Sequence, residues 1–129
     1  MVPKLHHFCF NISPTTLELV LELFKELGCN LTYREGNSRW FMVGQKPIPI
    51  DIQIVEVKRR PVQIKDKIST HVAFLSDNPK RDIEQISRWA KKKKIKFKQG
   101  GWSDKERWFD LPEVFVNFVI EIMHTSIVE

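Results

Sequence analysis

One order of hydrophobic patterns runs through this chain twice, and that repetition limits the fold more than any single motif does. Residues 4–12 (KLHHFCFNI) alternate as a strand, with Phe8, Phe10 and Ile12 on one face and His7, Cys9 and Asn11 on the other. Ser13 and Pro14 then form a cap-and-proline helix start. Leu17, Val20, Leu21, Phe24 and Leu27 recur at helical steps up to Gly28, a helix stop. Three extended segments follow, at 30–35, 39–43 and 50–57, set apart by Gly36-Asn37 and by the Pro47 to Pro49 stretch.

The second pass begins at 68–75, a strand with Val72 and Phe74 opposite His71 and Ala73. Asn78-Pro79 repeats the cap-and-proline signal, and Ile83, Ile86, Trp89 and Ala90 line one helical face. Extended segments are expected near 96–99, 106–110 and 115–123. The pattern predicts an α+β fold: two βαβββ modules, 1–57 and 68–129, joined by a basic linker at 58–67. Their strands are expected to build a curved mixed sheet with both helices on its outer face. Alternation then assigns His7, Gln53, His71 and Glu121 to the concave face, because Ile50, Ile52 and Ile54, and Phe118, Ile120 and Ile122, take the helix side. His6 would replace His7 only if the strand slipped by one residue. His124, three residues past Glu121, falls on the other face.

With 129 residues the chain is long enough for one domain with its own core. No apolar run approaches the roughly 20 residues that span a bilayer, so no membrane role is expected. The first residues show no basic, apolar and small-residue sequence of a secretion signal, and a cytoplasmic location is the expectation. Cys9 and Cys29 lack the spacing of a redox or zinc motif and read as reduced thiols. The net charge of +5 comes largely from Lys58-Arg59-Arg60 and from Lys91 to Lys94, the latter at a helix end where cations complement the dipole. No helix-turn-helix, zinc finger or aromatic RNA-binding strand accompanies them, which argues against nucleic acid as partner.

The segments LHHFCFNI, IDIQIVEV, THVAFLSDN and FVIEIM, in this order and on these faces, resemble the vicinal oxygen chelate superfamily of glyoxalases, bleomycin-resistance proteins and dioxygenases. That superfamily places one metal ligand on the first and one on the last strand of each module. The resemblance therefore implies His7, Gln53, His71 and Glu121 as ligands of a divalent ion, Zn, Ni, Mn or Fe. Glyoxalase I enzymes carry histidine, glutamate and glutamine at these positions, and Glu121 would double as the catalytic base. Fosfomycin-modifying members use two histidines and a glutamate, which His7, His71 and Glu121 would also satisfy. The implied function is a metal-dependent lyase, isomerase or transferase acting on a small oxygenated, anionic small-molecule substrate, in a homodimer. The alternative is a metal-free protein that sequesters an antibiotic, as bleomycin-resistance members do. Arg39, Arg107 and Trp108 are candidate substrate contacts, with Arg34, Trp40 and Trp102 as further possibilities. One departure is visible: where many members have an Asp-Pro-x-Gly turn before the last ligand strand, this chain has a longer stretch from Asp110 to Val116 without glycine.

Overall fold

The computed structural model describes residues 1–128 and divides into two compact units, Met1–Arg59 and Arg60–Glu129. In the first unit, β1 (His7–Ile12) leads through α1 (Leu17–Glu26) to β2 (Asn30–Tyr33), β3 (Trp40–Gly44) and β4 (Asp51–Glu56). In the second, β5 (His71–Ser76) leads through α2 (Pro79–Lys92) to β6 (Lys98–Ser103), β7 (Glu106–Asp110) and β8 (Val119–His124). The strand orders are β1-β4-β3-β2 and β5-β8-β7-β6. In each mixed sheet the first strand runs parallel to the last and the other pairs are antiparallel. The expected βαβββ repeat is thus present strand for strand, as two four-stranded sheets. Neither helix is long and apolar enough to cross a membrane.

Each helix covers its own sheet with the stripe the sequence marks. Leu17, Val20, Leu21, Leu23 and Phe24 of α1 are buried in a core that includes Ile12, Phe41, Val43 and Ile54. In the second unit Ile83, Ile86, Trp89 and Ala90 are buried along α2, with Phe109, Ile120 and Ile122 from the sheet. Each large apolar side chain removed from water in this way contributes about 1.5–3 kcal/mol.

The two helix starts differ. At α2 the expected cap forms: Asn78 Oδ1 accepts from the Arg81 amide at 3.1 Å, with Pro79 in the first turn. The start expected at Ser13-Pro14 does not hold. The helix begins at Leu17 behind Thr16, which makes no side-chain cap bond, and Thr15 adopts a left-handed φ of 64°. The missing acceptor comes from β4, where Glu56 Oε2 takes the Leu17 amide proton at 2.9 Å. Burial pushes the Glu56 carboxyl up, but the Arg39 guanidinium and the amides of Leu17 and Thr15 outweigh it and hold the group below its ordinary value.

Two other expectations shift in the second unit. The last strand starts at Val119 rather than near Phe115. Residues 111–118 instead form a folded segment whose Val114 and Phe115 amides both bond to the Leu111 carbonyl. Its apolar residues Leu111, Val114, Phe115, Val116 and Phe118 are buried without being a strand, and the Phe115 and Phe118 rings lie 4.4 Å apart. β6 runs past the expected end near residue 99, through Gly100 and Gly101 to Ser103.

Residues 58–67 are not uniformly exposed. Lys67 is 1% exposed, donates to the Phe115 carbonyl at 2.6 Å and forms an ion pair with buried Asp110, Nζ to Oδ1 at 2.9 Å.

Candidate functional site

On the face of the second sheet away from α2, register decides which side chains meet. His71 stands opposite Val119 on β8, and Ala73 opposite Glu121. Strand side chains alternate, so His71 and Glu121 share a face, two residues apart along neighbouring parallel strands. His71 Nε2 lies 3.4 Å from Glu121 Oε2, and Glu121 is only 7% exposed.

The other imidazole nitrogen selects the tautomer of a neutral His71. His71 Nδ1 is 3.1 Å from the carbonyl oxygen of Ile68. A carbonyl only accepts, so Nδ1 carries the hydrogen and a neutral His71 has its lone pair on Nε2. That lone pair faces a carboxylate oxygen. The separation is longer than the 2.7–2.9 Å of a charge-assisted hydrogen bond. It matches two ligands around a tetrahedral ion with bonds of about 2.1 Å, which sit about 3.4 Å apart. An imidazole nitrogen and a carboxylate held with converging lone pairs therefore fit a divalent metal, and the Ile68 carbonyl is the partner that orients such a ligand.

The first sheet carries the same offset. His7 stands opposite Asp51 and Cys9 opposite Gln53, so Gln53 occupies on β4 the place of Glu121 on β8. His7 occupies the place of His71, and its Nδ1 is 3.0 Å from Nδ1 of His6, with the rings perpendicular. The first half thus offers an imidazole and a neutral amide, the second an imidazole and a carboxylate. Among the described residues no three His, Cys, Asp or Glu side chains gather into one metal-holding group; of the four candidate ligands, His71 and Glu121 are in contact.

The candidate substrate contacts separate. Trp108 stands directly opposite Glu121 on β7 and shares its face. Arg107, opposite Ile122, points to the α2 side, with Nε buried and without a hydrogen-bond partner and Nη1 3.9 Å from Asp104. Arg39 is bound to Glu56 through Nε at 3.0 Å and Nη2 at 2.7 Å, so its fork supports the α1 start. Arg34 pairs with Glu18, Trp40 stacks on Tyr33 at 5.5 Å, and Trp102 is exposed.

Gly100 is a site residue that sequence reasoning passed over. It pairs with Trp108 across β6 and β7, and a Cβ there would lie 2.5 Å from Trp108 Cζ2. The glycine lets the indole lie flat on the strand beside Glu121. Gly100→Ala is expected to displace that ring, costing about 1–3 kcal/mol and changing the near-ultraviolet circular dichroism. An unchanged aromatic spectrum and stability would contradict the packing. The sequence signal was available, a glycine pair facing a tryptophan strand, but it reads equally as a turn.

Neither cysteine is poised as a nucleophile. Burial pushes the Cys29 thiol up to about 11, and burial raises Cys9 as well, so the thiolate is scarce at neutral pH.

No family model and no curated protein matches the chain in sequence. Solved structures do. The trypanothione-dependent glyoxalase I of Leishmania major superposes with a TM-score of 0.59 at 10% identity, over 98% of this chain and 89% of that one. The fosfomycin resistance protein FosX of Listeria monocytogenes, solved with Mn(II) and a dihydroxypropylphosphonic acid, gives 0.56 at 14% identity over 95% and 93%. TnmS3, an antibiotic-binding protein from Streptomyces sp. CB03234, gives 0.55 at 13% identity over 95% and 96%. The chain has the fold of the vicinal oxygen chelate superfamily, the glyoxalase, bleomycin-resistance and dioxygenase group. Proteins of that fold include metal-dependent enzymes and ligand-binding proteins alike.

Proposed function

We propose that this protein is a metal-dependent lyase or isomerase acting on a small oxygenated anion, with His71 and Glu121 as one half of the metal site. The observation that supports this most is Nε2 of His71 turned toward the Glu121 carboxylate at 3.4 Å, with Nδ1 engaged by the Ile68 carbonyl. His7 and Gln53, at the equivalent positions of the first half, are the proposed remaining ligands. Zn, Ni, Mn and Fe all suit such a nitrogen and oxygen set.

A bound divalent cation would supply Lewis acidity toward two adjacent substrate oxygens. The chain's own residues do the rest. The Ile68 carbonyl holds the His71 ring with Nε2 turned toward Glu121. One oxygen of Glu121 faces His71, and the carboxylate would accept a proton from substrate carbon and return it to the neighbouring carbon. Trp108 walls the Glu121 carboxylate on the β7 side. The test is turnover of hemithioacetals of small 2-oxoaldehydes by protein reconstituted with each of the four metals. Metal-stimulated isomerisation is expected. Saturable binding with no turnover under any metal would move the assignment to sequestration, a reading favoured by the neutral Gln53 where the second half has a carboxylate.

We further propose that the protein acts as a homodimer in the cytoplasm. β1 and β5 are edge strands of their sheets, and Phe8 and Leu75 on them are each 55% exposed. Edges of that kind are usually covered. Sedimentation equilibrium at micromolar concentration is expected to give the dimer mass, and a monomer would contradict it.

A further inference from the structure

The face of the first sheet turned away from α1 carries a second pattern. Register sets Tyr33, Met42, Gln53 and Cys9 side by side across β2, β3, β4 and β1. The next row on the same face holds Trp40, Val55 and Asn11. The Tyr33 and Trp40 rings stack across these rows, their centroids 5.5 Å and their planes 25° apart. Tyr33 is 48% exposed, and Trp40, Met42 and Val55 are half-buried, so this aromatic and apolar patch lies open. Gln53, a proposed metal ligand, sits within it.

A cation closes the β1 end of the Trp40 row. Arg59 Nη2 donates to Asn11 Oδ1 at 2.7 Å, which ties the guanidinium to this face. Arg34, Arg39, Arg81 and Arg107 each face a carboxylate. Arg59 meets a neutral amide instead and, among the described residues, forms no ion pair. Its charge is uncompensated, and its planar fork of five N–H groups keeps an edge for an oxyanion. Two acids along this sheet are engaged elsewhere: Asp51, two rows away, accepts from Thr32 at 2.9 Å, and Glu35 accepts from the Tyr33 hydroxyl at 3.5 Å. Neighbouring strands lie about 4.8 Å apart, so about 10 Å of backbone separates Trp40 from Asn11. A ring resting on Trp40 and Val55 therefore leaves room for a short methylene link before Arg59.

We infer that this face binds an arylalkyl carboxylate, its ring packed against Tyr33, Trp40 and Val55 and its carboxylate on Arg59. Aromatic rings gain from offset or edge-to-face packing on one another beyond the area they bury. A guanidinium takes a carboxylate through paired N–H bonds. A ligand so placed lies beside Gln53, so the assignment names the substrate class of the metal site, and in that role it rests on the proposed function. Binding itself needs no metal. Arg59 also supplies the anion contact that Arg39, held by Glu56, and Arg107, on the α2 side, do not offer.

The experiment is a titration of metal-free, ¹⁵N-labelled protein with phenylpropionate, propionate and phenylpropanol, read at the amides of Trp40, Met42, Gln53 and Val55. Phenylpropionate is expected to shift these amides saturably and to bind about tenfold tighter than either other probe, since propionate lacks the ring and the alcohol lacks the charge. Arg59→Gln, an exposed change, is expected to lower phenylpropionate affinity about tenfold and to leave the alcohol unchanged. Arg60→Gln, the exposed cation next in the chain, is expected to alter neither. Tyr33→Leu is expected to weaken phenylpropionate and the alcohol alike and to spare propionate. His71→Ala is expected to leave the titration as it is. No saturable shift, equal affinity for all three probes, or equal effects of Arg59→Gln and Arg60→Gln would overturn the inference. A protein that binds metal but fails this titration counts against the aryl site alone; one that passes it but binds no metal counts against the metal site alone.

Discussion

Lys67→Met is expected to lower the unfolding free energy by about 3–5 kcal/mol, the largest single-residue loss of stability in the second unit. The ammonium is 1% exposed and holds two partners, Asp110 and the Phe115 carbonyl. Methionine fills the volume but leaves a buried carboxylate with no counter-charge. Removing both charges, as in Lys67→Met with Asp110→Leu, is expected to recover most of the loss, because the cost lies in the orphaned charge rather than in the missing pair. Urea denaturation of the wild type and the two variants measures this. The pH dependence gives an independent check. Burial raises the Asp110 carboxyl above its ordinary value, against the pull of Lys67 and Lys98. The folded state therefore keeps this proton to higher pH than the unfolded chain does. Stability from this group is greatest below the ordinary value of 3.8 and falls as pH rises through the raised one. Without Lys67 the raised value moves higher still, so the deficit of Lys67→Met grows from acid to neutral pH. A deficit independent of pH would contradict the assignment of the loss to Asp110.

Glu121→Gln is expected to lower kcat/KM for the metal-loaded protein by at least about 100-fold, the lower end of what a positioned proton-transferring group contributes. The substitution keeps an oxygen ligand, as the first half already has at Gln53, so metal affinity is expected to fall much less than turnover. That split separates proton transfer from ligation. Equal losses in both would mean that Glu121 only ligates, and Gly100→Ala, which perturbs the neighbouring Trp108, is expected to act mainly on KM.

How far the sequence carried the argument differs from element to element. The repeat was legible because amphipathic strands and helices need their apolar residues at fixed periods, and Leu17 to Phe24 and Ile83 to Ala90 obey them. Strand parity likewise placed His71, Glu121 and Trp108 on one face. What parity could not show was anything set by a partner distant in sequence. The α1 cap comes from Glu56, 39 residues away from Leu17, so Ser13-Pro14 gave a false start. Lys67 read as part of a solvated basic run because its partners, Asp110 and Phe115, lie more than 40 positions downstream. Phe115, Val116 and Phe118 are apolar enough for a strand, yet the chain folds back there and buries them. Arg39 and Arg107 have the chemistry to bind an anion, but one is held by Glu56 and the other faces α2. The orienting carbonyl of Ile68 leaves no mark on the sequence at all, since any residue there offers the same oxygen.

The most direct test of the central claim is an equilibrium titration of metal-free protein with Zn, Ni, Mn and Fe(II), alongside His71→Ala and Glu121→Ala. The account predicts stoichiometric binding of at least one ion by the wild type and a loss of affinity greater than about 100-fold in each variant, since changing a group that merely orients a ligand already costs about 10–100-fold. Binding that is absent in the wild type, or equally tight in both variants, would contradict it.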